Sequence, residues 1–380
     1  MRIAFVCADP GVPVFGTKGA SVHAQGVIGA FLSTGADVEV FAARLGGEAP
    51  SALRDAVLHE HGRPVTRDAA ERERALAAAN EPLGERLLER GPFDLIYERH
   101  ALFAWAGMRA ARIAGTPGVL EVNAPLVEEQ ATHRILVDRA TAEAGVRRSF
   151  ADAGAIVAVS AELRRDLERY TEARGKLQVI PNAVDPRRFP APRPREDRPF
   201  TVAFVGTLKP WHGLSTLVDA FARLRERIPA ARLLVIGDGP GRATLEDDLA
   251  AAGLAHAARL TGAVDPGEVG ALLGEADVSV APYTADAERY FSPLKAVEGM
   301  AAGVPLVASR VGQLPELVRD GETGVLCEPG DAADVASALV MLAEDLDRRR
   351  RIGAAGRAWV LREHTWDRVA QRILAIGAPA

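Results

Sequence analysis

The stretch SPLKAVEGMAAGVPLVAS, residues 292–309, contains a helix start, a helix and a buried strand in direct succession. Ser292 can cap the free amides of a helix, and the fixed φ of Pro293 suits the first helical turn. VPLVAS (304–309) is a short apolar run typical of a strand that is covered on both faces. The same alternation of short β-branched runs and longer amphipathic segments recurs along the chain and predicts an α/β fold with parallel sheets.

The helix in this stretch carries two charges in unusual places. Lys295 falls in the first turn, where the helix dipole disfavours a cation. Glu298 follows three residues later on the same face, among small and apolar residues. An anion bound at the helix start, with a hydroxylated group beside it, would explain both charges. The alternative is a capped surface helix with a solvated lysine and glutamate.

Two sets of strands lie on either side of a proline-rich stretch. In the first set we expect helices at 20–34 and 101–114 between strands near 2–7, 37–42, 94–97, 118–122, 155–159 and 177–180. Residues 181–200 contain six prolines and little apolar content, which is typical of a stiff linker. The pattern then restarts, with strands expected at 201–206, 231–237, 277–281 and 304–309. Two such doubly wound domains usually bind ligands in the cleft between them, at the carboxyl ends of the strands.

Composition narrows the class of protein. The 380 residues suffice for two domains, and a formal net charge of −5 argues against a nucleic-acid-binding protein. No run approaches the roughly 20 apolar residues of a membrane span. The cysteines are only two, Cys7 and Cys327, so we expect neither disulfides nor a zinc cluster and favour the cytoplasm. Only four of 46 basic residues are lysines, a bias that suggests a GC-rich bacterial genome.

Loops after the predicted strands carry the candidate ligand contacts. The glycine-rich segment GTKGASVH (16–23) precedes a helix, and the loop GTLKPWHG (206–213) contains a lysine and a histidine that can hold a diphosphate. The turn DGPG (238–241) and residues 262–264 could bring backbone groups close to a nucleotide. Each of these segments could equally be an ordinary turn, and Trp211 is most simply a packing residue that braces its loop.

Taken together, the motifs resemble the large family of GT-B glycosyltransferases grouped as family 4. They occur in the family's order along nearly the whole chain: GTKGASVH (16–23), PNAVDPRRF (181–189), VGTLKPWHG (205–213), GDGP (237–240), TGAV (261–264), ADVSVAP (276–282), SPLKAVEGMAAGVPLVAS (292–309), GQLPE (312–316) and DGETGVL (320–326).

The resemblance implies two Rossmann-like domains facing each other across a cleft. We expect an N-terminal acceptor-binding domain at 1–183, a linker at 184–200, a nucleotide-sugar-binding domain at 201–362, and a C-terminal helix at 363–380 that packs back on the first domain. It also implies transfer of a sugar from a nucleoside diphosphate sugar to an acceptor hydroxyl, with retention of anomeric configuration. Neither a catalytic metal nor another cofactor is expected, and we expect a UDP-sugar rather than a GDP-sugar.

Site residues are assigned position by position from the same resemblance. Catalytic roles, chiefly stabilisation of the leaving diphosphate, are assigned to Lys209, Lys295 and Asn123. Glu298 is expected to hold the ribose hydroxyls. The full donor-binding set is Gly19, Ala20, Gly206, Thr207, His212, Gly239, Val264, Tyr290, Ser292, Pro293, Leu294 and Glu298. The expected acceptor contacts are Lys18, His23 and Glu121.

Four positions depart from the family pattern. Thr207 replaces a common arginine, His212 a lysine, and Asn123 a histidine that many members have after the fourth strand. Tyr290 stands where the family commonly has a glutamate that contacts the transferred sugar. A neutral tyrosine there would favour a modified sugar, such as an N-acetylated or deoxygenated one, unless Glu288 reaches the site instead.

Other interpretations of the chain stay open. A GT-B sugar epimerase or phosphorylase, or a non-catalytic nucleotide-sugar-binding protein, would share these motifs. The acceptor could be a small molecule, a glycan or a lipid-linked molecule, and arginines 134, 139, 147 and 148 leave peripheral membrane contact open. The charged stretch 66–90 predicts a solvated helix pair, and Asp345 and Asp347 resemble a metal-binding DxD but lie in a helical pattern.

Overall fold

Two compact units make up the protein. The computed structural model describes residues 1–191, 198–285 and 293–377. Unit 1 consists of Met1–Asn182 together with the helix that begins at Trp366, and unit 2 consists of Ala183–Thr365. Each unit contains one parallel sheet wrapped by helices, which confirms the predicted α/β class with two Rossmann-like domains.

Unit 1 is built on a sheet of seven parallel strands in the order β3-β2-β1-β4-β5-β6-β7. The strands are β1 (Arg2–Cys7), β2 (Asp37–Ala42), β3 (Val57–Glu60), β4 (Leu95–Arg99), β5 (Gly118–Val122), β6 (Ala155–Ala158) and β7 (Leu177–Val179). The central strands β1, β4 and β5 are buried almost throughout, because helices cover both faces of a parallel sheet. The order reverses between β1 and β4, which places the carboxyl end of β4 next to that of β1.

Helices connect these strands and pack on the sheet. Those that precede unit 2 are α1 (Gly19–Ser33), α2 (Ala69–Ala78), α3 (Asn80–Arg90), α4 (Ala106–Ala114), α5 (Leu126–His133), α6 (Arg139–Asp152) and α7 (Ala161–Leu167). The helix pair expected in 66–90 is confirmed as α2 and α3. Asp68 caps the start of α2, where its side chain accepts a hydrogen bond from the amide of Glu71. The helix expected from residue 101 begins only at Ala106, because Phe103 adopts a left-handed φ of 66° that no helix continues.

Unit 2 has six parallel strands in the order β10-β9-β8-β11-β12-β13. They are β8 (Thr201–Val205), β9 (Arg232–Ile236), β10 (Ala258–Leu260), β11 (Val278–Ala281), β12 (Leu306–Ser309) and β13 (Val325–Cys327). Apolar clusters lie on both faces of this sheet. Phe204 of β8 belongs to one cluster and Val205 to the other, as expected when successive side chains point to opposite faces.

The helices of unit 2 are α8 (Leu214–Arg227), α9 (Arg242–Ala251), α10 (Val269–Leu273), α11 (Leu294–Ala301), α12 (Leu314–Leu317), α13 (Ala332–Glu344) and α14 (Leu346–Glu363). Leu214, Leu217, Phe221 and Leu224 are buried along one face of α8, at the spacing of an amphipathic helix. Asp345 accepts a hydrogen bond from the amide of Arg348 and caps α14. The DxD-like residues are therefore part of a helix start.

Two chain segments lie next to the boundaries between the units in the sequence. Residues 184–191, part of the expected linker, belong to unit 2, where Phe189 is fully buried. Helix α15 (Trp366–Gly377) belongs to unit 1, where the Trp366 ring lies 4.8 Å from the His23 ring of α1, centroid to centroid. Its Arg372 guanidinium donates to the Val179 carbonyl 2.6 Å away. No helix in the described ranges is long and apolar enough to cross a membrane.

Candidate active site

The carboxyl ends of neighbouring strands in unit 2 bring the predicted loops together. The loop 206–213 follows β8, the turn 237–241 follows β9, and these strands lie side by side in the sheet. The amide of Leu208 donates to the Asp238 carbonyl at 3.0 Å, which joins the two loops directly. A Cβ on Gly239 would lie 2.6 Å from the Leu208 nitrogen, so only glycine allows this approach.

Lys295 lies at the centre of this cluster. Its amine is 3.2 Å from His212 Nδ1 and lies 4.4 Å from the centroid of the Phe204 ring and 5.0 Å from that of Tyr283. Burial lowers the pKa of Lys295 to about 7, with Lys209 lowering it further and Glu298 opposing the shift. The site therefore holds an amine whose charge a bound anion would restore.

His212 is neutral in this arrangement. Burial first, and then the nearby Lys295, lower the pKa of His212 to about 3. The Thr207 carbonyl, which can only accept, lies 2.6 Å from Nδ1, so Nδ1 carries the proton and Nε2 keeps a free lone pair. His212 thus contributes position and a hydrogen-bonding nitrogen to the site, while the positive charge comes from the lysines.

Lys209 is the second lysine of the loop. Its amine lies 4.7 Å from the centroid of the Trp211 ring, so the tryptophan supports the cation as well as the loop. Lys209 also contributes to the lowered pKa of Lys295, which places the two amines in one electrostatic environment. Two neighbouring ammonium groups repel each other, and an anion between them would relieve that repulsion.

Glu298 lies one turn after Lys295 on α11. Its side chain is 13% exposed, and its Oε1 lies 3.8 Å from Nη2 of Arg188. Burial raises the pKa of Glu298 to about 7, although Arg188 and Lys295 both act to lower it. The carboxylate consequently keeps capacity to accept hydrogen bonds from a ligand.

The predicted donor residues from Gly206 onwards fall in unit 2 where they are described, whereas Gly19 and Ala20 belong to unit 1. Val264 is partly buried against the apolar core, and Gly237 pairs with Gly262 in an isolated bridge that holds residues 262–264 beside the β9 turn. Gly206, Thr207, Pro293 and Leu294 belong to the β8 loop and the start of α11. Tyr290, Ser292 and Glu288 lie outside the described residues.

Unit 1 has its own polar cluster at the carboxyl end of β5. Glu121 Oε1 lies 2.6 Å from His23 Nε2, while its Oε2 accepts from Asn123 Nδ2 at 3.0 Å and from Arg99 Nη1 at 3.4 Å. Burial alone would raise the pKa of Glu121, but His23, Arg99 and Asn123 together lower it to about 2. Because an ionised carboxylate only accepts, the amide nitrogen of Asn123 faces Glu121 and its oxygen points away.

This geometry separates the predicted acceptor contacts. The side chains of His23 and Glu121 are each only 4% exposed, so they face each other and not solvent. Lys18 is exposed and occupies the N-cap position of α1, with Gly19 and Ala20 as the first helical residues. Asn123 is partly exposed. Glu121 therefore orients Asn123, which was predicted to be catalytic. Of the three predicted acceptor contacts, Lys18 is the exposed one.

Two arginines of these clusters, Arg99 and Arg188, were not among the residues predicted from the sequence. Arg99 ends the buried strand β4, and a cation in such a strand is itself a signal of a buried partner. Arg188 lies within PNAVDPRRF, a motif that carried the family resemblance without a role for this residue. In the described ranges, no group of three or more His, Cys, Asp or Glu side chains is arranged to hold a metal ion.

Two family models match this chain. The model for Glycosyltransferase Family 4 matches residues 17–188, and the model for Glycosyl transferases group 1 matches residues 199–345. Together they include both polar clusters described above.

Curated relatives match parts of the chain. Glycogen synthase of Mycobacterium tuberculosis is 32% identical over 224 residues, which cover 58% of this chain and 52% of the relative. A GDP-mannose-dependent alpha-(1-6)-phosphatidylinositol monomannoside mannosyltransferase of Mycolicibacterium smegmatis is 32% identical over 279 residues, covering 66% of this chain and 72% of the relative. The match thus spans about half the length of the first of these relatives and more of the second.

Solved structures match over the full length. Sucrose-phosphate synthase from Thermosynechococcus elongatus superposes with a TM-score of 0.75 at 21% identity, covering 99% of this chain and 98% of the other. Anabaena HepE in complex with UDP and glucose gives the same TM-score, identity and coverage. At this identity the similarity establishes the fold.

Proposed function

This chain belongs to glycosyltransferase family 4, and from that premise we propose that it transfers a sugar from a nucleoside diphosphate sugar to an acceptor hydroxyl. The observation that carries the proposal is the pair Lys295 and Glu298 on α11, both partly buried and one helical turn apart. A lysine beside a carboxylate that is not fully paired fits a ligand with an anionic group next to hydroxyl groups, as in a nucleoside diphosphate.

Each donor group has a matching contact in unit 2. The diphosphate would lie against Lys295, Lys209 and the glycine turns after β8 and β9, where it restores the ammonium form of Lys295. Glu298 would accept hydrogen bonds from the ribose hydroxyls, and a charged acceptor contributes about 1.5–3 kcal/mol to such a bond. The base would contact the backbone near Val264.

The chemical step requires stabilisation of the leaving diphosphate. Lys209 and Lys295 supply positive charge where negative charge grows in the transition state, so we propose that no metal ion is needed. Asn123, whose amide oxygen is directed away from Glu121, is proposed to accept a hydrogen bond from a reacting sugar. We further propose retention of anomeric configuration, through front-face substitution assisted by the leaving phosphate.

The donor nucleotide and the compartment are also proposals. HepE of Anabaena was solved with UDP, while the mycobacterial mannosyltransferases are named as GDP-mannose-dependent. We propose a UDP-sugar donor and an acceptor that is a small molecule, a glycan or a lipid-linked molecule. Cys7 and Cys327 are both buried and free of disulfides, which agrees with a reducing compartment such as the cytoplasm.

A nucleotide panel tests the proposal. We expect UDP to raise the melting temperature at millimolar concentration, with GDP weaker and uridine without effect, because binding to the folded state alone adds stability by mass action. Isothermal titration calorimetry then gives the dissociation constants. If neither UDP nor GDP binds, the proposed function is wrong.

Product analysis separates transfer from its alternatives. Incubation with donor sugar and an acceptor panel should release the nucleoside diphosphate only when an acceptor is present, and proton NMR of the product should show the donor's anomeric configuration. Conversion of the donor alone into an epimer would instead identify an epimerase, and formation of a sugar 1-phosphate from a glycan and inorganic phosphate would identify a phosphorylase.

A further inference from the structure

Arg188 contacts two separate parts of the proposed donor site. It ends a short 3₁₀ turn, Pro186–Arg188, at the start of unit 2, and its side chain is 21% exposed. One Nη2 hydrogen bond goes to the carbonyl of Pro266, in the loop that follows Val264. The same guanidinium nitrogen lies 3.8 Å from Oε1 of Glu298. One side chain therefore bridges the loop assigned to the base and the carboxylate assigned to the ribose.

The backbone beneath Arg188 is held firmly. Phe189 is fully buried, and its carbonyl accepts a hydrogen bond from Nη2 of Arg357 at 3.0 Å. A Cβ on Gly270 of α10 would collide with the Arg188 carbonyl oxygen, so that helix packs directly on the turn. These contacts fix where the Arg188 side chain begins, which is what a residue that positions others requires.

Two cations act on the Glu298 carboxylate, and Arg188 is the one whose charge does not change with pH. Arg188 and Lys295 are the cations that lower the pKa of Glu298 against its burial. From α14, Arg357 directs its guanidinium to the carbonyls of Ala301 and Phe189. The strands that pack against α11, Val278–Ala281 and Leu306–Ser309, carry no charged residue.

Lys295 cannot replace Arg188 near neutral pH. Because burial lowers the pKa of Lys295 to about 7, its amine loses its charge over the pH range in which Glu298 titrates. A guanidinium keeps its charge throughout that range and offers several N–H donors in a fixed plane. Of the two described cations that act on Glu298, Arg188 is the one that combines a permanent charge with a hydrogen bond to the neighbouring loop.

We propose that Arg188 is a positioning residue for the donor nucleotide: its guanidinium supplies the permanent positive charge beside Glu298 and ties that carboxylate to the Pro266 loop. This inference rests on the proposed function, since it assigns Glu298 to the ribose. It predicts that loss of Arg188 raises the pKa of Glu298 above its value of about 7 and weakens recognition of the ribose hydroxyls specifically. The effect should be largest near pH 8, where Glu298 is ionised in the wild-type protein and still protonated in the variant.

The test compares a nucleotide with its 2′-deoxy analogue. Dissociation constants for UDP and 2′-deoxy-UDP, or the GDP pair if GDP binds more tightly, are measured by calorimetry at pH 6, 7, 8 and 9. The wild-type protein should prefer the ribonucleotide about tenfold at pH 8 and 9, the value of one charged hydrogen bond, and less at pH 6, where Glu298 is protonated. In Arg188→Met the preference should fall to about twofold at pH 8 and recover towards pH 9 as Glu298 ionises.

Matched variants separate this role from a general loss of structure. Arg187→Met alters the neighbouring arginine of the same turn, whose side chain is 72% exposed and pairs with Asp185, and it should keep the wild-type preference. Arg188→Lys should restore part of the preference, and Glu298→Gln should lack it at every pH. A merely structural Arg188 would weaken both nucleotides equally at all pH values.

The outcomes distinguish the inference from its premise. If the wild-type protein binds neither UDP nor GDP, the proposed function fails. If it binds one of them with a preference for the ribonucleotide, and Arg188→Met keeps that preference across the pH range, the role of Arg188 is wrong while the function stands.

Discussion

Glu121 of unit 1 and Glu298 of unit 2 are both glutamates with little exposure near the carboxyl edge of a parallel sheet, yet they have opposite protonation behaviour. The pKa of Glu121 is lowered to about 2, in spite of burial, by His23 at 2.6 Å together with Arg99 and Asn123. The pKa of Glu298 is raised to about 7 by burial, with its nearest cation 3.8 Å away. Burial is similar in the two cases, so the difference lies in the partners.

A third glutamate shows that a raised pKa alone does not mark a ligand site. Burial raises the pKa of Glu98 to about 7 as well, but its Oε2 accepts from the amide of Met108 at 2.9 Å at the start of α4. Glu98 therefore stabilises a helix start. What sets Glu298 apart is a lysine one helical turn away and an arginine at 3.8 Å, neither of which forms a short hydrogen bond with the carboxylate.

The largest expected effect comes from removing the satisfied carboxylate. Glu121→Gln leaves Arg99 and His23 buried without their anion and should lower the free energy of unfolding by about 3–5 kcal/mol at pH 7. Because the folded-state pKa lies below the unfolded value of 4.5, the wild-type advantage should shrink as the pH falls from about 4.5 towards 2.

Urea denaturation followed by circular dichroism at pH 7 and pH 3 measures this loss. Glu85→Gln, an exposed glutamate on α3, is the control and should unfold like the wild-type protein. A loss below 1 kcal/mol for Glu121→Gln would remove the contrast between the two glutamates.

Removing the unsatisfied carboxylate should affect binding and not stability. Glu298→Gln should weaken UDP or GDP binding by about tenfold to a hundredfold, since each charged hydrogen bond is worth about 1.5–3 kcal/mol. The raised pKa means that ionised Glu298 destabilises the fold above pH 7, so the variant should be at least as stable as wild type at pH 8.

Calorimetric titration and denaturation at pH 8 give both quantities. Glu316→Gln, exposed on α12 of the same unit, should leave both unchanged. A Glu298 variant that loses several kcal/mol of stability and keeps its nucleotide affinity would show that Glu298 is structural, like Glu121.

Replacing Lys295 should raise the stability of the protein and lower its turnover. Its amine is destabilising when charged, because the folded-state pKa of about 7 lies below the unfolded value of 10.5. Lys295→Met should therefore raise the free energy of unfolding by about 1 kcal/mol at pH 6, and this gain should vanish as the pH approaches 10.5. Nucleoside diphosphate release in the acceptor assay should fall at least about tenfold.

The control is Arg223→Met, which removes an exposed cation from α8 and should change neither property. Unchanged turnover in Lys295→Met, or a loss of stability at every pH, would show that Lys295 is not a destabilising buried cation that binds the diphosphate.

The smallest expected effect concerns metal ions. If a divalent cation bound beside Glu298, the metal and not the protein partners would set the charge state of this carboxylate, and the comparison with Glu121 would no longer hold. We expect the dissociation constant of UDP or GDP, and the rate of turnover, to change less than about twofold in excess EDTA. A tenfold loss that manganese restores would overturn the assignment of charge neutralisation to the lysines.

Sequence patterns were sufficient to predict the central strands of both sheets. Strands such as β1, β4, β8 and β12 have apolar runs that only a buried strand explains, and all were expected within a few residues. The strands missed were β3, β10 and β13, each at an edge of its sheet and only three or four residues long. The residues of β3 and β10 are mostly or partly exposed and form no apolar run, while β13 is apolar and largely buried but only three residues long. Pairing with a neighbouring strand therefore decides the structure of all three.

For the candidate site, the sequence predicted which loops and which helix of unit 2 would lie together, because lysine, glutamate and glycine at a helix start are local signals. It did not determine that Glu121 pairs with His23 and Arg99, or that Arg188 lies beside Glu298, since these partners are far apart in the chain. Only the tertiary structure decides such distances and the burial around them. As protonation depends on both, the sequence named two glutamates and the structure alone separated the one that holds the protein together from the one available to a ligand.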